Sequence, residues 1–243
     1  MSIITVSADF ESWVTGVTDF ITELATTAIA ERGRFTFAFS GGNTPRPVYE
    51  RLASAGYSER IDWSRVQVFF GDERCVPPED PLSNYHMART ALGDRLPIPA
   101  ANIHRIHGED PPEQAAAEYA QELKRTFGGE ANKGGPPQEG FDLVLLGMGD
   151  NGHTASLFPG TSALDEERRW VVDNIVRSLQ TVRITMTLPV FNHARNVWFL
   201  VSGAKKAVAF KRAQEDEDPA CPASLVRPEN GVLRWYVDKA VTA

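Results

Sequence analysis

Apolar residues recur at three- and four-residue steps between Phe10 and Ala28: Phe10, Trp13, Val14, Val17, Phe20, Ile21, Leu24 and Ala28. That spacing forms one stripe on an amphipathic helix. Asp9 suits its N-cap and Gly33 its stop. The period then changes. R-F-T-F-A-F-S, ending at Ser40, reads as a short strand, followed by S-G-G-N-T-P and a helix from Pro45 to about Ala55. Val66–Phe70 reads as a buried strand that ends in G-D-E-R, and 84–95 and 115–127 read as helices. Residues 141–146 (F-D-L-V-L-L) form the clearest buried strand and run into G-M-G-D-N-G-H. Residues 182–188 and 197–201 are further strands. The second enters S-G-A-K-K and a helix through about Gln214, and 232–237 suits a last strand.

Strands that alternate with helices predict a mostly parallel sheet with helices on both faces. The expectation is one α/β domain over residues 1–243. Gly128 to Gly140, rich in Gly and Pro, is expected to be a flexible excursion inside it, because strands continue afterwards. Polar, Gly-rich segments follow four of the strands, and ligands of open α/β sheets bind at such carboxyl ends.

Composition narrows the classes. The chain has 243 residues, 42% of them hydrophobic, which suffices for a sizeable core without metals or disulfides. Two distant cysteines, Cys75 and Cys221, point to a reducing compartment rather than a disulfide framework. A formal net charge of −7 argues against general nucleic-acid binding. It leaves room for a local cluster of cations and N–H groups that holds one phosphate. No signal-peptide pattern or long apolar run occurs, so a soluble, cytoplasmic protein without membrane contact is expected.

Four loops could carry chemistry. In Ser40-Gly41-Gly42-Asn43-Thr44-Pro45, glycines let N–H groups approach an anion, with Thr44 as N-cap and Pro45 at the first helical position. An ordinary tight turn accounts for the segment equally well. Asp72, Glu73 and Arg74 follow a buried strand, where a carboxylate can orient the Arg toward a phosphate or carboxylate oxygen. His153 is the candidate acid–base group, since its ordinary pKa lies near neutrality and Gly147, Gly149 and Gly152 precede it on a strand-end loop. Lysines in Ser202-Gly203-Ala204-Lys205-Lys206 oppose a helix dipole unless an anion compensates them. A solvent-exposed Lys is also tolerated there. Metal binding is unsupported: there is no C-x-x-C or H-E-x-x-H, and His104-x-x-His107 lacks an evident third ligand. Gly147-x-Gly149-x-x-Gly152 matches a dinucleotide fingerprint only formally, without the acidic residue expected downstream. No nucleophile elbow occurs.

Taken together, L-G-M-G-D-N-G-H-T-A-S-L-F-P, F-S-G-G-N-T-P, F-F-G-D-E-R-C-V-P-P-E-D-P-L-S-N-Y, R-I-T-M-T-L-P, P-A-S-L and W-Y-V-D-K-A closely resemble the blocks of the 6-phosphogluconolactonase family, in order, from about Ser40 to Ala240. The resemblance implies a three-layer α/β sandwich with a Rossmann-like sheet, similar to glucosamine-6-phosphate deaminase and ribose-5-phosphate isomerase. It implies hydrolysis of 6-phospho-D-glucono-1,5-lactone without a cofactor, by a monomer whose partner is the phosphorylated sugar lactone. His153 would be the general base. Asp72 and Arg74 would act beside it, with Ser40 to Thr44, Arg74, Arg183 and Lys206 around the phosphate or sugar. Gly149, Asn151 and Gly152 would support the base. The family usually has Asp immediately before Gly-His, where this chain has Asn151, with Asp150 one residue earlier. Two rivals share the phosphate loop: a deaminase or isomerase of the glucosamine-6-phosphate type, and a non-catalytic sugar-phosphate sensor. The deaminase family carries Tyr where this chain has Arg74, and a Glu soon after its His, where this chain has Leu157-Phe158-Pro159.

Overall fold

A computed structural model describes residues 2–129 and 135–242. Its strands are β1 (Ser2–Ser7), β2 (Phe35–Phe39), β3 (Val66–Phe70), β4 (Asp72–Arg74), β5 (Leu143–Gly147), β6 (Val171–Val176), β7 (Thr181–Met186), β8 (Asn196–Val201) and β9 (Val232–Asp238). Its helices are α1 (Phe10–Arg32), α2 (Arg46–Leu52), α3 (Ala55–Ser58), α4 (Asn84–Leu92), α5 (Pro112–Phe127), α6 (Leu188–Phe191), α7 (Ala207–Ala213) and α8 (Lys239–Thr242).

Six strands form a parallel sheet in the order β1-β9-β8-β5-β2-β3, flanked by helices. All five residues of β2, F-T-F-A-F, are buried. Continuous apolar strands of this kind belong to a sheet covered on both faces. Helix α1 packs against β2, β9 and α2. Asp9 accepts the Ser12 N–H at 2.8 Å, and Gly33, at φ 75°, ends the helix with its N–H on the Ile29 carbonyl. Among the described residues no helix is long and apolar enough to cross a membrane.

Several expectations need correction. Residues 182–188 supply β7, which is not in the parallel sheet. It pairs antiparallel with β4 and with β6 in a separate three-stranded sheet, β4-β7-β6. The charged Asp72-Glu73-Arg74 is therefore a strand, not a loop. Its Asp72 and Glu73 are buried because their carboxylates find hydrogen bonds there. Strands β1 and β6 were not foreseen. Thr44 caps nothing: α2 starts after Pro45 without a side-chain cap. Of the proposed excursion 128–140, residues 130–134 lie outside the described residues. Its flanks are fastened, by Trp170 Nε1 to the Gly135 carbonyl at 2.9 Å and by Glu139 N to the Phe127 carbonyl at 3.0 Å. Cys75 and Cys221 are free thiols.

Candidate active site

The four segments singled out in the sequence meet at one pocket of about 200 Å³. Ser40, Gly41, Gly42, Thr44, Asp72, Arg74, Gly149, His153 and Lys206 line it, and its wall also includes Asn84, Met148 and Ala155. The ends of β2 and β5 are tied together, since the Ser40 hydroxyl accepts the Gly147 N–H at 3.2 Å. Tyr49 clamps the other side of Ser40, accepting its N–H at 3.0 Å and donating to its carbonyl at 2.9 Å. Beyond Ser40 the N–H groups of Gly41 to Thr44 find no acceptor among the described residues. Gly41 must be glycine: a Cβ there would lie 1.8 Å from the Asn84 Oδ1.

The His153 ring is fixed from three directions. It stacks on Phe158, with centroids 4.2 Å apart. A Cβ on Gly149 would stand 2.1 Å from its Cε1 and Nδ1, so the ring lies directly over that glycine. Asn151 Oδ1 is 2.6 Å from Nδ1 and accepts the His153 backbone N–H at 3.2 Å. The backbone group can only donate, so this Asn151 atom is the acceptor oxygen and Nδ1 carries the proton. In the neutral ring, Nε2 is then the free base. Burial pushes the His153 pKa below the ordinary histidine value, and the Lys206 and Arg183 charges add to that, while Asp72 and Asp150 oppose it.

Asp72 is held by the Ser156 hydroxyl at 2.6 Å and by Asn84 Nδ2 at 3.1 Å. Glu73 does not orient Arg74 through its carboxylate. It accepts the N–H groups of Arg74, Asn84 and Tyr85 and the Ser83 hydroxyl, anchoring the start of α4. Burial raises its pKa despite these bonds. Arg74 donates to the Leu82 carbonyl and faces Arg183 across the β4–β7 register. The Arg183 Nε is buried without a partner, and burial, then the Arg74 charge, lower its pKa. Lys206 pairs with Asp150, Nζ to Oδ1 2.5 Å. Its loop is secured by Asp238, which accepts the Ser202 hydroxyl at 2.6 Å and the Gly203 N–H at 3.0 Å.

Not every nominated residue lines the pocket. Asn43 is exposed. Gly152, at φ 80°, serves close packing, because a Cβ there would be 2.6 Å from the Cys221 Sγ. Arg183 stands one strand beyond the wall, beside Arg74. Sequence reading missed Asn84 and Ser156. Ser83 caps α4 through the His86 N–H, so Ser83-Asn84 reads locally as a helix start and nothing more. A larger groove of about 780 Å³ runs along α5, but Arg105 is already met there by Glu109 and Arg125 by Glu122, and the His104 ring is hydrogen-bonded to Glu122 and Gln67. His107, Asp110 and Glu118 bring possible metal-ligand atoms within 4.8 Å of one another; none of the three lines the His153 pocket.

A parallel α/β sheet whose carboxyl ends gather a free imidazole nitrogen, unpaired N–H groups and cations defines an enzyme-like site for a small anionic ligand. The chain belongs to the Glucosamine-6-phosphate isomerases/6-phosphogluconolactonase family, whose profile matches residues 8–235. A 6-phosphogluconolactonase of Nostoc sp. is 42% identical over 93% of this chain and 90% of its own length. One of Synechocystis sp. is 45% identical over 90% and 88%. The crystal structure of a 6-phosphogluconolactonase from Thermotoga maritima superposes with a TM-score of 0.83 at 28% identity, covering 98% of this chain and all of that one.

Proposed function

We propose that this chain hydrolyses 6-phospho-D-glucono-1,5-lactone to 6-phospho-D-gluconate in the oxidative pentose phosphate pathway, with His153 as general base. The names of its relatives support the reaction. The observation that carries the assignment of the base is the tautomer: with the Nδ1 proton directed to Asn151, Nε2 is left to take a proton inside the pocket.

In this reading Nε2 removes a proton from water as the water oxygen attacks C1. The carbonyl electrons move onto oxygen, where Arg74 stabilises the charge. Collapse re-forms the carbonyl and breaks the bond from C1 to the ring oxygen, which takes the proton back from the imidazolium. Asp72, held by Ser156 and Asn84, favours that transient cation. Lys206 and the 40–44 loop hold the phosphate, whose binding orients the remote C1. In the same reading the whole chain is one catalytic unit that acts as a cytoplasmic monomer.

The test is lactone disappearance against the spontaneous background, for wild type and His153→Ala. Turnover should fall by roughly 10²–10⁴-fold in the variant, with phosphate-dependent binding retained. Wild-type turnover in the variant removes His153 from the chemistry. Ammonia release from glucosamine 6-phosphate would transfer the chain to the deaminase reading, and binding without turnover to a sensor.

A further inference from the structure

The turn that carries Asn151 points two side chains at two parts of the site. Gly152 N donates to the Gly149 carbonyl at 3.0 Å, which puts Asp150 and Asn151 at the two central positions of a β-turn. Asn151 engages the imidazole, and Asp150 engages Lys206 with an oxygen 2.5 Å from Nζ. Lys206 is three-quarters buried and lines the pocket, whereas Asp150 is 60% exposed at its rim. The hydrogen bond from Lys206 is the main reason the Asp150 carboxyl titrates below the usual carboxylate range. The compensating anion that a lysine at this helix start calls for is thus supplied by the chain itself.

We propose that Asp150 is a resident counter-anion of Lys206 that the phosphate of a ligand must displace, making it a specificity-determining residue for phosphorylated substrates. This rests on the reading of Lys206 as a phosphate-side cation. A carboxylate tethered on an adjacent turn competes at high effective concentration. Ambient anions that touch only the amine are excluded. A phosphate that also reaches the 40–44 N–H groups gains enough contacts to take its place. Once displaced, the exposed Asp150 returns to water readily.

Asp150→Asn keeps the shape and removes the charge, and Asp150→Glu keeps the charge. Binding of inorganic phosphate is measured by calorimetry, and kcat and KM are measured for the phosphorylated lactone and for unphosphorylated gluconolactone. Assays run at pH 8, where the imidazole is neutral in every form. Asp150→Asn should bind phosphate about 2- to 5-fold tighter and lower KM for the phosphorylated lactone by a similar factor, with a smaller change in KM for the unphosphorylated lactone. Asp150→Glu should stay close to wild type. The difference should shrink in high salt. Unchanged or weaker phosphate binding in Asp150→Asn, beside normal wild-type turnover, overturns this proposal alone. An equal effect on both lactones also overturns it, since Asp150 would then act through the His153 loop. Absence of phosphate binding in all three proteins overturns it together with the Lys206 assignment.

Discussion

Replacing Asn151 with Asp exchanges an amide for a carboxylate of the same shape next to the His153 Nδ1–H. The acceptor stays in place, 2.6 Å from Nδ1 in the parent chain, and a negative charge is added. Two unit charges about 4 Å apart interact with about 1 kcal/mol in water and about 4 kcal/mol at an effective dielectric of 20. Position 151 is exposed and His153 half-buried, so the lower part of that range applies, about 1–2 kcal/mol. At 1.36 kcal/mol per unit, the imidazole pKa should rise by about one unit. The sign follows from the charge: a carboxylate favours the imidazolium. Wild-type kcat/KM should lose activity only below the ordinary histidine range, because burial holds His153 low. In Asn151→Asp the acid limb moves up by about one unit, and well below both limbs the variant is about tenfold slower. Above neutrality the two coincide, apart from a small gain from the more basic nitrogen. The assay is kcat/KM for lactone disappearance from pH 5 to 8, with the spontaneous rate subtracted at each point. An acid limb that stays in place or moves down refutes the reasoning, since the titrating group would then not be the ring that Asn151 touches.

Two further substitutions test the supports of the site. Gly149→Ala puts a methyl 2.1 Å from His153 Cε1 and Nδ1, so the ring must swing away; kcat should drop by on the order of 10²-fold, with little change in the thermal midpoint. Glu73→Ala leaves the N–H groups of Asn84, Tyr85 and Arg74 without their buried acceptor; urea unfolding should show a loss of about 2–4 kcal/mol, and a loss below about 1 kcal/mol would remove Glu73 as the anchor of α4.

The central strands of the parallel sheet were legible because they are covered on both faces and so read as mainly apolar runs; β3 begins and ends at Val66 and Phe70, as its composition indicates. Strand β1 escaped because it lies at the sheet edge with Ile3, Ile4 and Val6 partly exposed, a pattern without a buried face to reveal it. The second sheet escaped for a different reason. Asp72-Glu73-Arg74 is charged, and its burial depends on bonds to α4 and Ser156, which no local spacing encodes. The site shows the same division. His153 and Lys206 stand on Gly-bearing strand ends, where composition itself signals a ligand loop. The grip of Asn84 on Asp72 exists only once the chain has folded back across the pocket.

Gly71 alone separates β3 from β4. Its N–H donates to the Phe39 carbonyl at 3.0 Å, and its own carbonyl accepts the Met186 N–H at 2.9 Å, so one residue is bonded into both sheets. The pocket straddles that weld, with Gly41 and His153 on one side and Asp72 and Arg74 on the other. A clamshell needs a joint, and among the described residues these bonds tie the two halves where they meet. Capture of a ligand is therefore expected to proceed by small movements of surface side chains and turns over a floor assembled in advance.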